Sequence, residues 1–163
     1  MSDPLAYFIT FSCYGGWLHG DRRGSIDRKH NEPGSPPLEP SREREATAQG
    51  RLKHGTFLLD APRRVAVEDA VRGVSDARGW QLVAVNVRTS HVHVVVAADQ
   101  APELVMRAFK AWSTRQMRDR RLMDADASAW SRHGSTRYLW DTRDVEEACQ
   151  YVVHGQGPPL SRA

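Results

Sequence analysis

Cysteine is scarce in this chain of 163 residues: only Cys13 and Cys149. Two thiols exclude a disulfide-stapled scaffold and suit a reducing compartment. Long apolar runs are missing too. The longest, Val92 to Ala98 with only His93 interrupting it, is far short of the ~18 residues that a membrane-spanning helix needs. The opening stretch, Met1 to Leu18, lacks the basic segment and long apolar core of a standard secretory signal. Lysine is nearly absent: of 23 Lys+Arg, three are Lys (Lys29, Lys53, Lys110) and the other 20 are Arg. Arginine offers a planar fork that suits phosphate, although GC-rich coding also produces arginine. The net charge of +3 and pI of about 9.1 permit a nucleic-acid partner without requiring one. A soluble, cytoplasmic protein with no membrane partner is expected, with one domain over residues 1–163. A chain of this size buries roughly two thirds of its unfolded surface and needs no staples to fold.

One stretch interrupts the chain. Gly34-Ser35-Pro36-Pro37-Leu38-Glu39-Pro40 places three prolines where neither sheet pairing nor a helix can continue. With the glycines and prolines before it, this predicts a Pro/Gly-rich insertion at about residues 21–55, with a polar helix from Ser41 to Lys53. Elsewhere the periodicity is clear. Leu5 to Cys13 alternates, with Tyr7, Ile9, Phe11 and Cys13 on one face and Phe8, Thr10 and Ser12 on the other. Thr56 to Leu59 reads as a short strand. Asp60 and Pro62 open a helix that ends near Gly79. Strands follow at Leu82–Val87 and His91–Ala98, and Pro102 starts a helix to about Leu122. Trp130 to Trp140 reads as a hairpin about Gly134-Ser135, and Asp144 begins a helix that stops at Gly155. This order is the βαββαβ plan of an α+β, ferredoxin-like (RRM-like) antiparallel sheet with an added C-terminal helix. Helices are expected on one face, leaving the other open.

The sharpest chemical feature is His91-Val92-His93. Alternation puts both imidazoles on the open face and Val92, Val94 and Val96 on the other, so the pair can hold one divalent metal. Two surface histidines on a strand are the plainer explanation. The plan, however, puts them on a central strand beside the small polar residues Thr10, Ser12 and Asn86, which leave room for a ligand. On the last helix, Tyr151, His154 and Gln156 gather at the C-terminal end. A tyrosine beside a metal that holds a phosphodiester can act as a nucleophile; alternatively, Tyr151 packs the helix onto the core. Along the Pro102 helix, Arg107, Lys110, Thr114, Arg118 and Arg121 share one face, a stripe that could follow a phosphate backbone beside the histidine pair. Lys110, among apolar neighbours, is the best single phosphate contact. Trp17 and His19, in the glycine-rich loop after the first strand, could form a stacking platform for bases.

In order along the chain, Tyr7-Phe8-Ile9-Thr10-Phe11, Arg88-Thr89-Ser90-His91-Val92-His93-Val94-Val95-Val96, Phe109-Lys110 and Tyr151-Val152-Val153 resemble the HUH-type nucleases with one catalytic tyrosine. The similarity is greatest to insertion-sequence transposases and the REP-associated tyrosine transposases, and it spans about residues 5–157 apart from the insertion. The resemblance implies a transposase-type endonuclease and strand transferase acting on single-stranded DNA near a hairpin. His91 and His93 would hold Mg²⁺ or Mn²⁺, and Tyr151 would form a 5′-phosphotyrosine. Thr10, Asn86, Trp17, His19 and the basic stripe would contact DNA. Such a protein is nucleoid-associated when bound to DNA, and a homodimer is compatible with the plan, leaving open whether Tyr151 serves its own site or a partner's. The chain also departs from the pattern. Insertion-sequence members carry a glutamine ligand four residues after the tyrosine, where this chain has Gly155. Gln156 then becomes the third ligand, with His154 in reserve. The Asn-Pro usual at this point in REP-associated members is missing. Two alternatives stand beside this reading. One is a ferredoxin-like module that binds nucleic acid without cleaving it. The other, a phosphoesterase with paired His-x-Thr/Ser motifs, lacks its second motif.

Overall fold

The computed structural model describes residues 3–15 and 56–162. The expected insertion, the helix at Ser41–Lys53 and the residues Trp17 and His19 lie outside the described residues. Seven elements follow one another: β1 (Ala6–Cys13), α1 (Ala61–Arg78), β2 (Gln81–Val87), β3 (His91–Ala97), α2 (Pro102–Asp119), β4 (Trp130–Leu139) and α3 (Thr142–His154). The strands form one sheet in the order β2-β3-β1-β4, every neighbour antiparallel. This is the ferredoxin-like arrangement, with β3 and β1 in the centre.

Local chemistry sets the boundaries. The Asp60 carboxylate accepts from the Arg63 amide at 3.1 Å, and Pro62 sits in the first turn, where its missing N–H costs nothing. Gly79 closes α1 in the left-handed region at φ 70°, a conformation that side chains resist. Asp141 caps α3 by accepting from the Asp144 amide at 2.8 Å.

Alternation then sorts the strands onto two faces. Val92, Val94 and Val96 join Ile9, Phe11, Val67, Val71 and Phe109 in the main core beneath α1 and α2. Each fully buried side chain of this size stabilises the fold by about 1.5–3 kcal/mol.

Three sequence expectations change. The second face is only partly open: α3 lies across it, packing Ala148 and Val152 on Ala6, Val95 and Leu139. An amphipathic helix cannot leave such an apolar stripe in water. Trp130–Leu139 is one continuous strand, not a hairpin. Gly134 marks close approach instead of a turn, since a Cβ there would stand 2.6 Å from the Thr10 carbonyl oxygen and 2.5 Å from Met106 Sδ. Thr56–Leu59 is irregular. Its amides bond the carbonyls of loop residues, Phe57 to Tyr14 at 2.9 Å and Leu59 to Thr89 at 2.8 Å, so no ladder forms.

Candidate active site

The register places the histidine pair as the alternation requires. His93 lies between Thr10 on β1 and Asn86 on β2, and His91 lies opposite Ser12. The two imidazole centres are 4.7 Å apart. His93 is buried, and its Nδ1 bonds Thr10 Oγ1 at 2.9 Å. His91 Nδ1 meets Ser90 Oγ at 3.2 Å. His93 Nε2 is buried, and among the described residues no group meets it in hydrogen-bonding geometry. Burial, followed by the neighbouring His91, pushes the His93 pKa down to about 4; Gln156 opposes the shift and Arg88 adds to it. The ring is therefore neutral near pH 7. In the tautomer that donates Nδ1–H to Thr10, a lone pair is left on Nε2.

A buried imidazole beside a second imidazole is a donor set that fits a divalent cation. Hydroxyls on both Nδ1 atoms supply the outer support that orients such ligands. Among the described residues no cluster of three or more His, Cys, Asp or Glu forms. Further donors to a cation there would be oxygens of other kinds, such as an amide, a hydroxyl, water or the substrate. Gln156 stands close enough to influence His93 and donates its Nε2 to the Tyr151 carbonyl at 3.4 Å. His154 is exposed in the last turn of α3.

Helix α3 brings Tyr151 to the pair. Its ring meets His93 edge-on, 5.8 Å between centres, and is half exposed. Phe8, which the sequence reading placed on this face without a role, stacks on His93 and touches the edge of Tyr151, 5.9 Å from each. Asn86 donates to the Val152 carbonyl at 2.8 Å, tethering the helix to β2 beside His93. At the helix end the Gly155 amide bonds the Tyr151 carbonyl at 2.9 Å. A Cβ at Gly155 would stand 2.7 Å from that same oxygen. The tyrosine is thus fixed by packing, a side-chain tether and a crowded glycine.

The basic stripe forms, but elsewhere. Arg107, Lys110, Thr114 and Arg118 line one groove with Trp130, and Arg121 follows, exposed, just past the helix. Because α2 packs on the valine face and the histidines point from the other, the sheet separates this groove from the pair. The expectation that they adjoin is corrected: alternation that buries Val92 and Val94 under α2 turns His91 and His93 away from it. Lys110 is half-buried and donates to the carbonyls of Ser131 at 3.1 Å and His133 at 3.3 Å. Burial lowers its pKa.

Among solved structures, the chain is similar to a protein assigned as a transposase from Deinococcus radiodurans R1 (15% identity, TM-score 0.48, covering 93% of this chain and 91% of that one). It is also similar to a REP-associated tyrosine transposase bound to a REP hairpin (14% identity, TM-score 0.49, covering 93% of this chain and 66% of that one). No curated protein matches the chain. No helix among the described residues is long and apolar enough to cross a membrane. The family model described as "Transposase IS200 like" matches residues 51–153, more than half of the chain. The chain belongs to the IS200-like transposase family.

Proposed function

We propose that this transposase nicks and rejoins single-stranded DNA near a hairpin through a covalent bond to Tyr151, with His91, His93 and Gln156 as ligands of Mg²⁺ or Mn²⁺. The observation that carries the reading is the contact of Tyr151 with the buried His93, whose ring lies 4.7 Å from that of His91. When bound, the metal supplies polarisation of the scissile phosphate and eases loss of the tyrosine proton. Tyr151 Oη attacks phosphorus, forming the Oη–P bond as the bond from phosphorus to the 3′ oxygen breaks. The leaving oxygen takes a proton to become a 3′-OH, and the 5′ end stays on the tyrosine. Attack by another 3′-OH reverses the step. One phosphodiester replaces another, so no external energy source is needed. Thr10 orients His93, and Asn86 and Phe8 hold the helix that presents Tyr151. The groove of Arg107, Lys110, Thr114 and Arg118 binds phosphates of the same DNA on the far side of the sheet.

Incubation with Mn²⁺ and a hairpin-bearing oligonucleotide tests this reading. A protein–DNA adduct stable to denaturant is expected, and its loss in Tyr151→Phe. An adduct that persists in Tyr151→Phe removes the assigned nucleophile. Binding without any adduct, unchanged when both histidines are replaced, supports a non-catalytic module.

A further inference from the structure

A cationic side chain shares the histidine face and has no role in the reaction as described. β2 and β3 are joined through Thr89-Ser90, and the Arg88 amide donates to the His91 carbonyl at 2.8 Å, extending the ladder. Asn86 lies on the histidine face and Val87 on the buried one, so alternation returns Arg88 to the histidine face, across from His91. Both terminal guanidinium nitrogens, Nη1 and Nη2, donate to one neutral acceptor, the Pro158 carbonyl, each at 3.2 Å. Among the described residues no carboxylate pairs with Arg88.

The neighbouring arginines differ. Arg64 and Arg162 line the same cleft. Arg64 is held by the Leu59 and Ser161 carbonyls at 2.8 and 2.6 Å, and Arg162 by the Glu68 carboxylate at 2.8 Å. Arg88 alone of the three combines long bonds with a single uncharged acceptor. A forked guanidinium prefers a phosphate to a neutral carbonyl, because charge-assisted bonds are shorter and roughly twice as strong. Gly157, at φ 84°, turns the chain so that Pro158 meets the guanidinium; a Cβ there would stand 3.8 Å from Arg88 Nη2.

We propose that Arg88 binds a DNA phosphate next to the histidine pair, and that the Pro158 carbonyl holds the guanidinium until that phosphate arrives. The proposal rests on the single-stranded DNA reading above. It makes Arg88 a substrate-positioning residue, on the opposite side of the sheet from the α2 groove.

The test is the salt dependence of binding to a hairpin-bearing oligonucleotide, measured by fluorescence anisotropy on the full chain carrying Tyr151→Phe, so that no adduct forms. Each lost phosphate contact to single-stranded DNA lowers the slope of log K against log salt by about 0.7. Arg88→Ala is expected to lower the slope by about that amount, and Arg88→Lys to keep it. If Arg88→Ala fails to fold, Arg88→Gln is read the same way. An unchanged slope overturns the proposal even where affinity falls, because a merely structural loss weakens binding by the same factor at every salt concentration. No binding by the parent chain would instead overturn the DNA reading itself, as would no adduct formed by the chain with Tyr151 intact.

Discussion

Tyr151 meets His93 edge-on across 5.8 Å. Phe8 completes the triangle, so β1, β3 and α3 each contribute a ring. The Asn86 tether and the buried contacts of Ala148 and Val152 keep α3 on its own sheet. With Tyr151 as the proposed nucleophile, this packing assigns its attack to the site formed by the histidines of its own chain. Mixing His93→Ala protein with Tyr151→Phe protein is therefore expected to restore no adduct beyond that of each variant alone. Recovery of adduct in the mixture would mean that the helix exchanges between chains.

Thr10 sets the ring of His93 through the 2.9 Å bond to Nδ1. Thr10→Val keeps the shape and removes the hydroxyl. Loss of such an outer partner commonly costs 10- to 100-fold in metal affinity. Titration with Mn²⁺ should show a weakening of roughly that size, with adduct formation largely recovered at saturating metal. Equal Mn²⁺ affinity in the two proteins would separate Thr10 from metal binding. The fold should lose only about 0.5–1.5 kcal/mol, the worth of one hydrogen bond.

How much of this was legible depended on range. Period-two alternation placed Ile9, Phe11, Val92 and Val94 in the core and His91 and His93 opposite them, because strand geometry fixes side-chain direction residue by residue. Caps at Asp60 and Gly79 were legible for the same local reason. What was missed is tertiary. Nothing adjacent to Tyr151 says that its helix lies over Val95, although Ala148 and Val152 one turn apart are a signal that it buries one side. Phe8 could have been placed beside His93, and Arg88 on the same face, by carrying the same alternation along β1 and past Val87. Gly134 read as a turn because a glycine in a strand looks the same in sequence whether it bends the chain or admits a neighbour. The basic stripe was found, but its side of the sheet could be set only by asking which face α2 must cover.

Cys13 is buried in the main core, and desolvation raises its thiol pKa to about 12, with Arg63 opposing. The unfolded thiol titrates near its ordinary value of 9.0. Between these values the folded state keeps a proton that the unfolded state gives up, so stability falls as pH rises from about 9 to about 12 and is fully present below that window. Other alkaline groups titrate in Cys13→Ala as well, so the comparison isolates this one. The advantage of the parent over Cys13→Ala in urea midpoint should shrink above pH 9. A constant advantage would show that the thiol ionises equally in both states. Thiol reagents should label the half-buried Cys149 before Cys13, since the thiolate of the buried residue is the harder to form.

Gly134 packs closely against β1, the strand that carries Thr10. An added Cβ would press on Met106 Sδ, which can swing aside, and on the Thr10 carbonyl oxygen, which cannot without shifting β1. Thr10 is also the residue that bonds His93. Gly134→Ala should therefore destabilise the fold by about 1–3 kcal/mol, the usual cost of overpacking. Met106→Ala in the same chain should recover only part of it, because the backbone contact persists. The shift should also reach the site, weakening Mn²⁺ binding in the same direction as Thr10→Val, although residue 134 lies on an edge strand. Full recovery by Met106→Ala would assign the strain to the side chain alone, and unchanged Mn²⁺ affinity would uncouple β4 from the histidine pair. Denaturant unfolding and Mn²⁺ titration on the single and double variants measure both.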